Sequence, residues 1–324
     1  MRGVINPPPV RIIGADALRE AVRFEDLVEP VARAFEESSA GKAQNGLVVM
    51  FPAESPDLGD VYVKTGVLSG HSVYIVKVSP WFAVNVARGQ AQGGFIAVFD
   101  SKTGHTLALL NDEHYLSDIR TAAAGAIAAR FLAPPRIATA AVLGSGVQAY
   151  WQPIALHGER PFERLLIWAR NPSAADRLKR RLQETFTAVE IETGEDLEGV
   201  VRASDVLITA TSSREPLVRA EWLRPGQHIT AVGADDPTKC ELEPAAVERA
   251  RVFVDSIATT IENGDVYRAI QSGSFAPGRL AGELGDVIAG RVIGRSSPAD
   301  ITIAKLVGIG AQDLVAAETV LEKL

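Results

Sequence analysis

"AVLGSGVQAYW", residues 141–151, is the stretch that decides the fold. An apolar run ends in Gly144-Ser145-Gly146, and a helix-like stretch follows. Gly144, Gly146 and Ala149 form G-x-G-x-x-A. In such a turn the first glycine makes the bend and the second lets a pyrophosphate approach the backbone. The third small residue packs the helix on the strand, and the helix N-terminus faces the phosphates. The motif alone is weak, but the context it demands is present on both sides. Ser145, Val147 and Gln148 join Gly144 and Gly146 as expected dinucleotide contacts. Pro153 lies a turn into the helix and is expected to kink or shorten it.

The rhythm continues downstream. "RLLIWAR", "ASDVLITATS", "GQHITAVGAD" and "RVFVDS" read as strands, and "SAADRLKRRLQETF" as a helix. Alternating strand and helix implies a parallel sheet covered on both faces. The end of the second strand selects the cofactor, since an acid there binds the ribose of NAD and an arginine accommodates the extra phosphate of NADP. Arg170 and Asn171 occupy that place, with no acid, which leans towards NADP(H). Thr211 and Ser212, at the end of a later strand, join the cofactor-binding candidates. "ITIAKLVGIGAQDLVAAETVLEKL" reads as a strand, a turn and a final helix.

Upstream the pattern differs. "DALREAVRFEDLVEPVARAFEESSAG" is helical with breaks and stops near Gly41. "NGLVVMFPA", "GDVYVKTGV", "HSVYIVKVSP" and "GGFIAVFDSKTGHTLALLND" are rich in β-branched residues and read as a mostly antiparallel sheet, with a hairpin turn at Lys102-Thr103-Gly104. "SDIRTAAAGAIAARFLAPP" is an Ala-rich helix capped by Ser117 or Asp118 and stopped by Pro134-Pro135. Its small residues would let another backbone approach closely.

The totals narrow the class. The chain has 324 residues, 47% hydrophobic, with a net charge of −7. So acidic a balance does not suggest a nucleic-acid binder. One cysteine, Cys240, permits neither an intrachain disulfide nor a cysteine-based zinc cage, and no metal site is expected. It reads as a packing residue. "MRGVINPPPVRIIG" lacks the apolar core of a signal peptide. No run is long enough for a membrane span. The expectation is a cytoplasmic protein.

Three cations stand out in the first half. Lys64 and Lys77 lie in strand-like runs. Arg120 is expected in the first turn of the Ala-rich helix, where the dipole disfavours it unless an anion intervenes. Asp235, in "AVGADDPTKCEL", follows a strand of the nucleotide domain, where the ligand crevice of such sheets lies. Asp236 competes with it, and either could simply form the turn. His228 lies within a strand and reads as structural.

These residues reach a family. "VKVSP", "LSDIRTAAAGAIAARFLA", "VLGSGVQA", "DVLITATSS", "AVGADDPTKCEL", "GELGDVIAG" and "VGIGAQD" make the chain resemble the ornithine cyclodeaminase/μ-crystallin family over nearly its whole length. The resemblance implies a Rossmann-type doubly wound parallel sheet inserted in a second, α+β domain that binds substrate and dimerises. The expected boundaries are 123–299 for the dinucleotide domain, with 1–122 and 300–324 forming the other. It also implies NAD(P) chemistry at the α-carbon of amino acids or their imines. By that resemblance Lys77 lies near the substrate carboxylate and imine, and Arg120 holds the α-carboxylate. Thr121 sits beside the nicotinamide, Asp235 is the acid/base at the substrate nitrogen, and Val307 and Gly308 lie near the cofactor.

The chain departs from the cyclodeaminase pattern in two places. Gln44, Asn45 and Gly46 occupy the region where cyclodeaminases carry an arginine. Lys64, thirteen residues before Lys77, replaces a glutamate expected near the distal amine. A cation there repels the ammonium of ornithine and suits a carboxylate, either the α-carboxylate or a second one. Asn45 and Met50 complete the substrate-side candidates. The expected function is an NAD(P)H-dependent reductase of a small imino acid, or the reverse amino-acid dehydrogenase, acting as a homodimer. A cyclodeaminase-type lyase and a non-catalytic NADPH-binding protein of the μ-crystallin kind are the alternatives.

Overall fold

The computed structural model describes residues 9–53, 55, 58–88 and 92–324. The signal-peptide reading of residues 1–8 lies outside them. Two compact units emerge, Met1–Arg120 with Ile309–Leu324, and Thr121–Gly308.

The first unit begins with β1 (Arg11–Gly14), α1 (Ala15–Ala21) and α2 (Phe24–Ser39). Five strands follow: β2 (Ala43–Met50), β3 (Gly59–Leu68), β4 (Val73–Phe82), β5 (Phe95–Asp100) and β6 (Thr106–Asn111). They form one sheet in the order β1-β6-β5-β4-β3-β2. Pairing is antiparallel except β1 on β6, which is parallel. The strand β1 is not legible in advance, because a four-residue "RIIG" beside prolines carries too little pattern. The β5–β6 turn closes as expected, with Asp100 accepting from the amides of Lys102 and Thr103 and Gly104 at φ 72°.

Helix α3 (Tyr115–Leu132) follows. It starts two residues earlier than expected, so Ser117 and Asp118 are not its cap. Asp112 instead accepts from the Leu116 amide. Arg120 consequently falls in the second turn rather than the first, and the dipole argument loses most of its force there. The unit border falls between Arg120 and Thr121.

The second unit contains β7 (Thr139–Leu143), α4 (Val147–Glu159), β8 (Arg164–Trp168), α5 (Pro172–Thr185), β9 (Glu190–Thr193), α6 (Leu197–Ala203), β10 (Val206–Thr209) and β11 (His228–Ala231). It continues with α7 (Pro244–Arg249), β12 (Arg251–Val254), α8 (Ile257–Thr260), α9 (Gly264–Gln271), β13 (Gly282–Glu283), α10 (Leu284–Ile288) and β14 (Thr302–Lys305). Eight strands form an all-parallel sheet ordered β13-β12-β14-β11-β10-β7-β8-β9. Both faces are covered. Ala140, Val142, Leu165 and Ile167 pack on one side, and Ala141, Leu143, Leu207 and Ile229 on the other. Chain order reverses between β7 and its neighbour β10, the switch point at which such sheets bind ligands. The α/β doubly wound class is therefore as expected. Helix α4 continues through the buried Pro153 to Glu159, so the proline does not end it.

The last helix, α11 (Gly310–Lys323), packs on α2 and on β3, β4 and β2 of the first unit. The expected border at 300 is corrected to 309, because β14 pairs with β11 and β12 and so belongs to the parallel sheet. Among the described residues no helix is long and apolar enough to cross a membrane.

Candidate active site

In the first unit β3 and β4 place Lys64 and Lys77 directly opposite each other on one sheet face. They are only 5% and 2% exposed, so neither is a solvated strand lysine. Like charges opposed across strands repel, and burying them without a partner is costly. The counter-charge is Asp313 of α11, wholly buried. Its Oδ1 lies 2.7 Å from Lys77 Nζ and 2.9 Å from Arg120 Nε. Lys77 also donates to Ser117 Oγ at 2.9 Å, and Arg120 Nη1 to Gln312 Oε1 at 3.0 Å. Burial pushes the Lys77 ammonium down to about 8, against the opposing pull of Asp313. Burial would raise the Asp313 carboxyl, but Arg120, Lys77 and Lys64 outweigh it and hold it at about 2. Asp313 is thus firmly ionised among these buried cations, and Asp112 adds a weaker pull on Lys77. Asp313 Oδ2 and Gln312 Nε2 are buried without a hydrogen-bond partner in the structure.

Two substrate-side candidates behave differently. Asn45 Oδ1 accepts from the Ala311 amide at 2.8 Å and so holds the first turn of α11. Met50 pairs with Val61, whose parity is opposite to that of Lys64, so it occupies the other sheet face and is not brought to the lysines.

In the second unit the cofactor candidates gather at the carboxyl ends of the strands. Gly144 follows β7 at φ 127°, and a Cβ there would meet the Ala210 carbonyl oxygen at 2.5 Å. Only glycine fits. Gly146 is the N-cap of α4, and a Cβ on it meets nothing within 4 Å. That open approach to a helix N-terminus is the cradle a pyrophosphate requires. Ala149 is wholly buried. Ser145 belongs to the same turn, Val147 and Gln148 open α4, and Arg170 and Asn171 are exposed after β8. Thr211 and Ser212 follow β10, and Val307 and Gly308 follow β14. The Gly308 amide donates to Asp255 Oδ2. The Thr121 carbonyl accepts from Gln152 Nε2 at 2.8 Å, and Gln152 fills the place that a Cβ on Gly125 would take. The small residues of α3 therefore admit a side chain of α4.

The two neighbouring aspartates separate cleanly. Asp236 is buried, and its Oδ1 accepts from the amides of Thr238 and Lys239 and from Thr238 Oγ1. It builds the turn. Asp235 is half-buried, with Lys239 Nζ at 2.7 Å from its Oδ1. It retains an accessible carboxylate after β11. His228 is buried between Thr302 and Thr230, and burial together with Arg295 pushes it down to about 3. It is a neutral structural group. Cys240 is a buried thiol pushed up to about 11, chiefly by burial.

Sequence reasoning missed Gln312, Asp313, Ser117 and Glu241. An amide and an acid at the head of the apolar run "GIGAQDLVAAETV" were the signal for the first two. Glu241 is wholly buried beyond β11. Burial and the nearby Asp265 push its carboxyl up to about 7, against Lys305.

The family model described as the ornithine cyclodeaminase/mu-crystallin family matches residues 12–324, and the chain belongs to that family. An uncharacterized cyclodeaminase of Sinorhizobium fredii is 38% identical over 94% of this chain and 93% of its own. Iminosuccinate reductase of Paracoccus denitrificans is 35% identical over 70% of this chain and 69% of its own. Among solved structures, Delta(1)-pyrroline-2-carboxylate reductase of Thermococcus litoralis, in complex with NADH and L-proline, matches with a TM-score of 0.91. It is 29% identical and covers 97% of each chain.

Proposed function

We propose that this protein is an NAD(P)H-dependent reductase of a small imino acid, or the reverse amino-acid dehydrogenase. The observation that carries the reading is the buried cluster of Lys64, Lys77 and Arg120 around Asp313, in a chain whose second unit has the strand-end glycine cradle of a dinucleotide fold. Bound NAD(P)H supplies hydride to the imine carbon, and the nitrogen takes a proton. Arg120 and Lys77 clamp the carboxylate beside that carbon, which fixes its orientation. Lys64 takes either the same carboxylate or a second one. The unpartnered Gln312 Nε2 is a further donor in the same cluster. Asp235 holds and delivers the proton at nitrogen, with Lys239 beside it to exchange charge. Gly144, Ser145, Gly146, Val147 and Gln148 take the pyrophosphate. Thr121, Thr211, Ser212, Val307 and Gly308 take the nicotinamide half. Arg170, exposed and without an acid beside it, supports a preference for NADP(H).

The relatives support this reading by name, since iminosuccinate reductase and pyrroline-2-carboxylate reductase both reduce C=N bonds. We further infer a cytoplasmic homodimer. The sheet face opposite the lysines carries an apolar row, Val48-Val63-Val78-Phe95, across β2 to β5. Val48 is 55% exposed, and Met50 and Phe95 are exposed beside it.

The test is oxidation of NADH and NADPH by purified protein. Glyoxylate, pyruvate and oxaloacetate, each with ammonia or methylamine, and pyrroline-2-carboxylate form the panel. Turnover on at least one is expected, with kcat lowered about 100-fold or more in Asp235→Ala. Ammonia released from ornithine without net NADH, and silence across the panel, would overturn the reductase in favour of the lyase. Silence in both assays with tight NADPH binding would favour the binding protein.

A further inference from the structure

Glu241 makes four hydrogen bonds with one carboxylate, and all four go to the ends of two adjacent strands. Its Oε1 accepts from the Thr211 amide at 2.7 Å and Thr211 Oγ1 at 2.8 Å. Its Oε2 accepts from Thr209 Oγ1 at 2.8 Å and the Gly233 amide at 3.0 Å. Thr209 ends β10 and Gly233 lies just past β11. The backbones meet so closely here that a Cβ on Gly233 would lie 2.3 Å from the Thr211 carbonyl oxygen. The Glu241 backbone is held on both sides. Its amide donates to Asp265 Oδ1 at 2.6 Å, and its carbonyl accepts from the amides of Leu217 and Val218. Asp265 of α9 and Lys305 of β14, both wholly buried, are the charged groups facing it, with Lys305 Nζ 3.2 Å from Asp265 Oδ2. A buried carboxylate is an expensive way to join two strands that the ladder already joins. What it adds is a fixed spacing beyond the ladder, where Thr211-Ser212 and Gly233-Ala234-Asp235 leave the sheet.

We infer that Glu241 is a positioning residue. It sets the distance between the loop that takes the nicotinamide half and the loop that carries Asp235, and so fixes cofactor and proton donor together. This rests on the cofactor reading given above. The need is geometric. Each oxygen accepts from one backbone amide, so a glutamine must turn its own amide group towards one of them. An isosteric replacement loses the clamp at one strand without opening a cavity.

The test uses Glu241→Gln and Thr209→Val in the full chain. Thr209 is buried, and valine keeps its shape while removing one of the four donors. Dissociation constants for NADH and NADPH are read by fluorescence, melting temperature by circular dichroism, and kcat on whichever imine the panel identifies. Glu241→Gln is expected to weaken cofactor binding about tenfold or more, a charged hydrogen bond's worth. Thr209→Val should weaken it by a smaller factor, and kcat should fall further than binding alone explains. If Glu241→Gln does not fold, Thr209→Val decides alone. A folded Glu241→Gln, or a Thr209→Val, that melts lower but binds cofactor as the wild type does would reduce Glu241 to a stabilising role and overturn the inference. Cofactor affinity needs no substrate, so a protein inactive on every imine would sink the proposed reaction while leaving this arm intact.

Discussion

Asp235 and Asp236 differ in nothing but position, and the turn gives them different surroundings. Three donors occupy one oxygen of Asp236, whereas Asp235 keeps a half-exposed carboxylate beside Lys239. Single side chains elsewhere are decided the same way, by what surrounds them. His71 sits in the β3–β4 turn with Glu318 of α11 at 2.7 Å and Glu37 of α2 at 3.0 Å. Burial alone would lower its pKa, but the two glutamates outweigh burial and raise it above 6.5. A group whose pKa is higher folded than unfolded stabilises the fold fully below the unfolded value. That stability is lost as pH rises through the folded value. Urea midpoints of the wild type should therefore fall as pH rises from about 6.5 through the folded pKa. His71→Asn should remove much of that slope, and an unchanged slope would show that the histidine stays neutral. The turn-forming role of Asp236 could not be read from "GADDPTK", because either aspartate satisfies the same local pattern. Arg120 and Lys77 were legible as chemistry, but Asp313, which makes their burial tolerable, was hidden in a helix pattern that reads as core.

At the scale of elements, one close approach does much of the positioning. A Cβ on Gly66 of β3 would lie 2.4 Å from the Gly310 carbonyl oxygen, and one on Gly310 would lie 2.0 Å from that of Thr65. Two glycines let the first turn of α11 rest directly on the strand. Asp313, three residues on, then reaches Lys77 and Arg120. Gly66→Ala should force α11 outward, destabilise the protein by about 1–3 kcal/mol, and weaken substrate binding beyond cofactor binding. Gly14→Ala is the control, since nothing lies within 4 Å of a Cβ there. Denaturant midpoints and KM values measure both effects, and equal behaviour of the two variants would refute the packing argument. The strands and helices were mostly legible, because period-2 and strand–helix patterns are strong over long runs. The strands β1, β9 and β13 and the helices α6 to α10 were not, whereas β10, β11 and β12, four residues each, were legible because they sit in longer apolar, β-branched runs. The start of α3 was misplaced because Asp112 supplies its first side-chain acceptor from outside the predicted cap positions.

The whole molecule is built from a contiguous unit, Thr121–Gly308, and a discontinuous one that uses the chain on both sides of it. The discontinuity was legible only through the family resemblance, since the strand–turn–helix pattern at the end of the chain does not say which unit it joins. Its border was not, because the sequence "ITIAKLVGIGAQD" gives no hint that its strand pairs with the parallel sheet while its helix packs elsewhere. The proposed dimer belongs to this scale. Changing Val48 and Phe95 together to lysine places two charges on the exposed apolar row without touching the buried lysine face. Sedimentation velocity should show a dimer for the wild type and a shift towards monomer for the variant. A wild-type monomer at micromolar concentration would remove the dimer from the reading.

The placement of α11 also bears on how the protein is made. Asp313 is translated only after the whole of the contiguous unit, so that unit can fold on the ribosome while the first one waits. Until α11 is made, Lys77 and Arg120 lack the carboxylate nearest to both of them. The last residues to be made are therefore the ones that cover the sheet and bring Asp313 to Lys77 and Arg120, and a chain interrupted before them is expected to leave that face of the first unit uncovered.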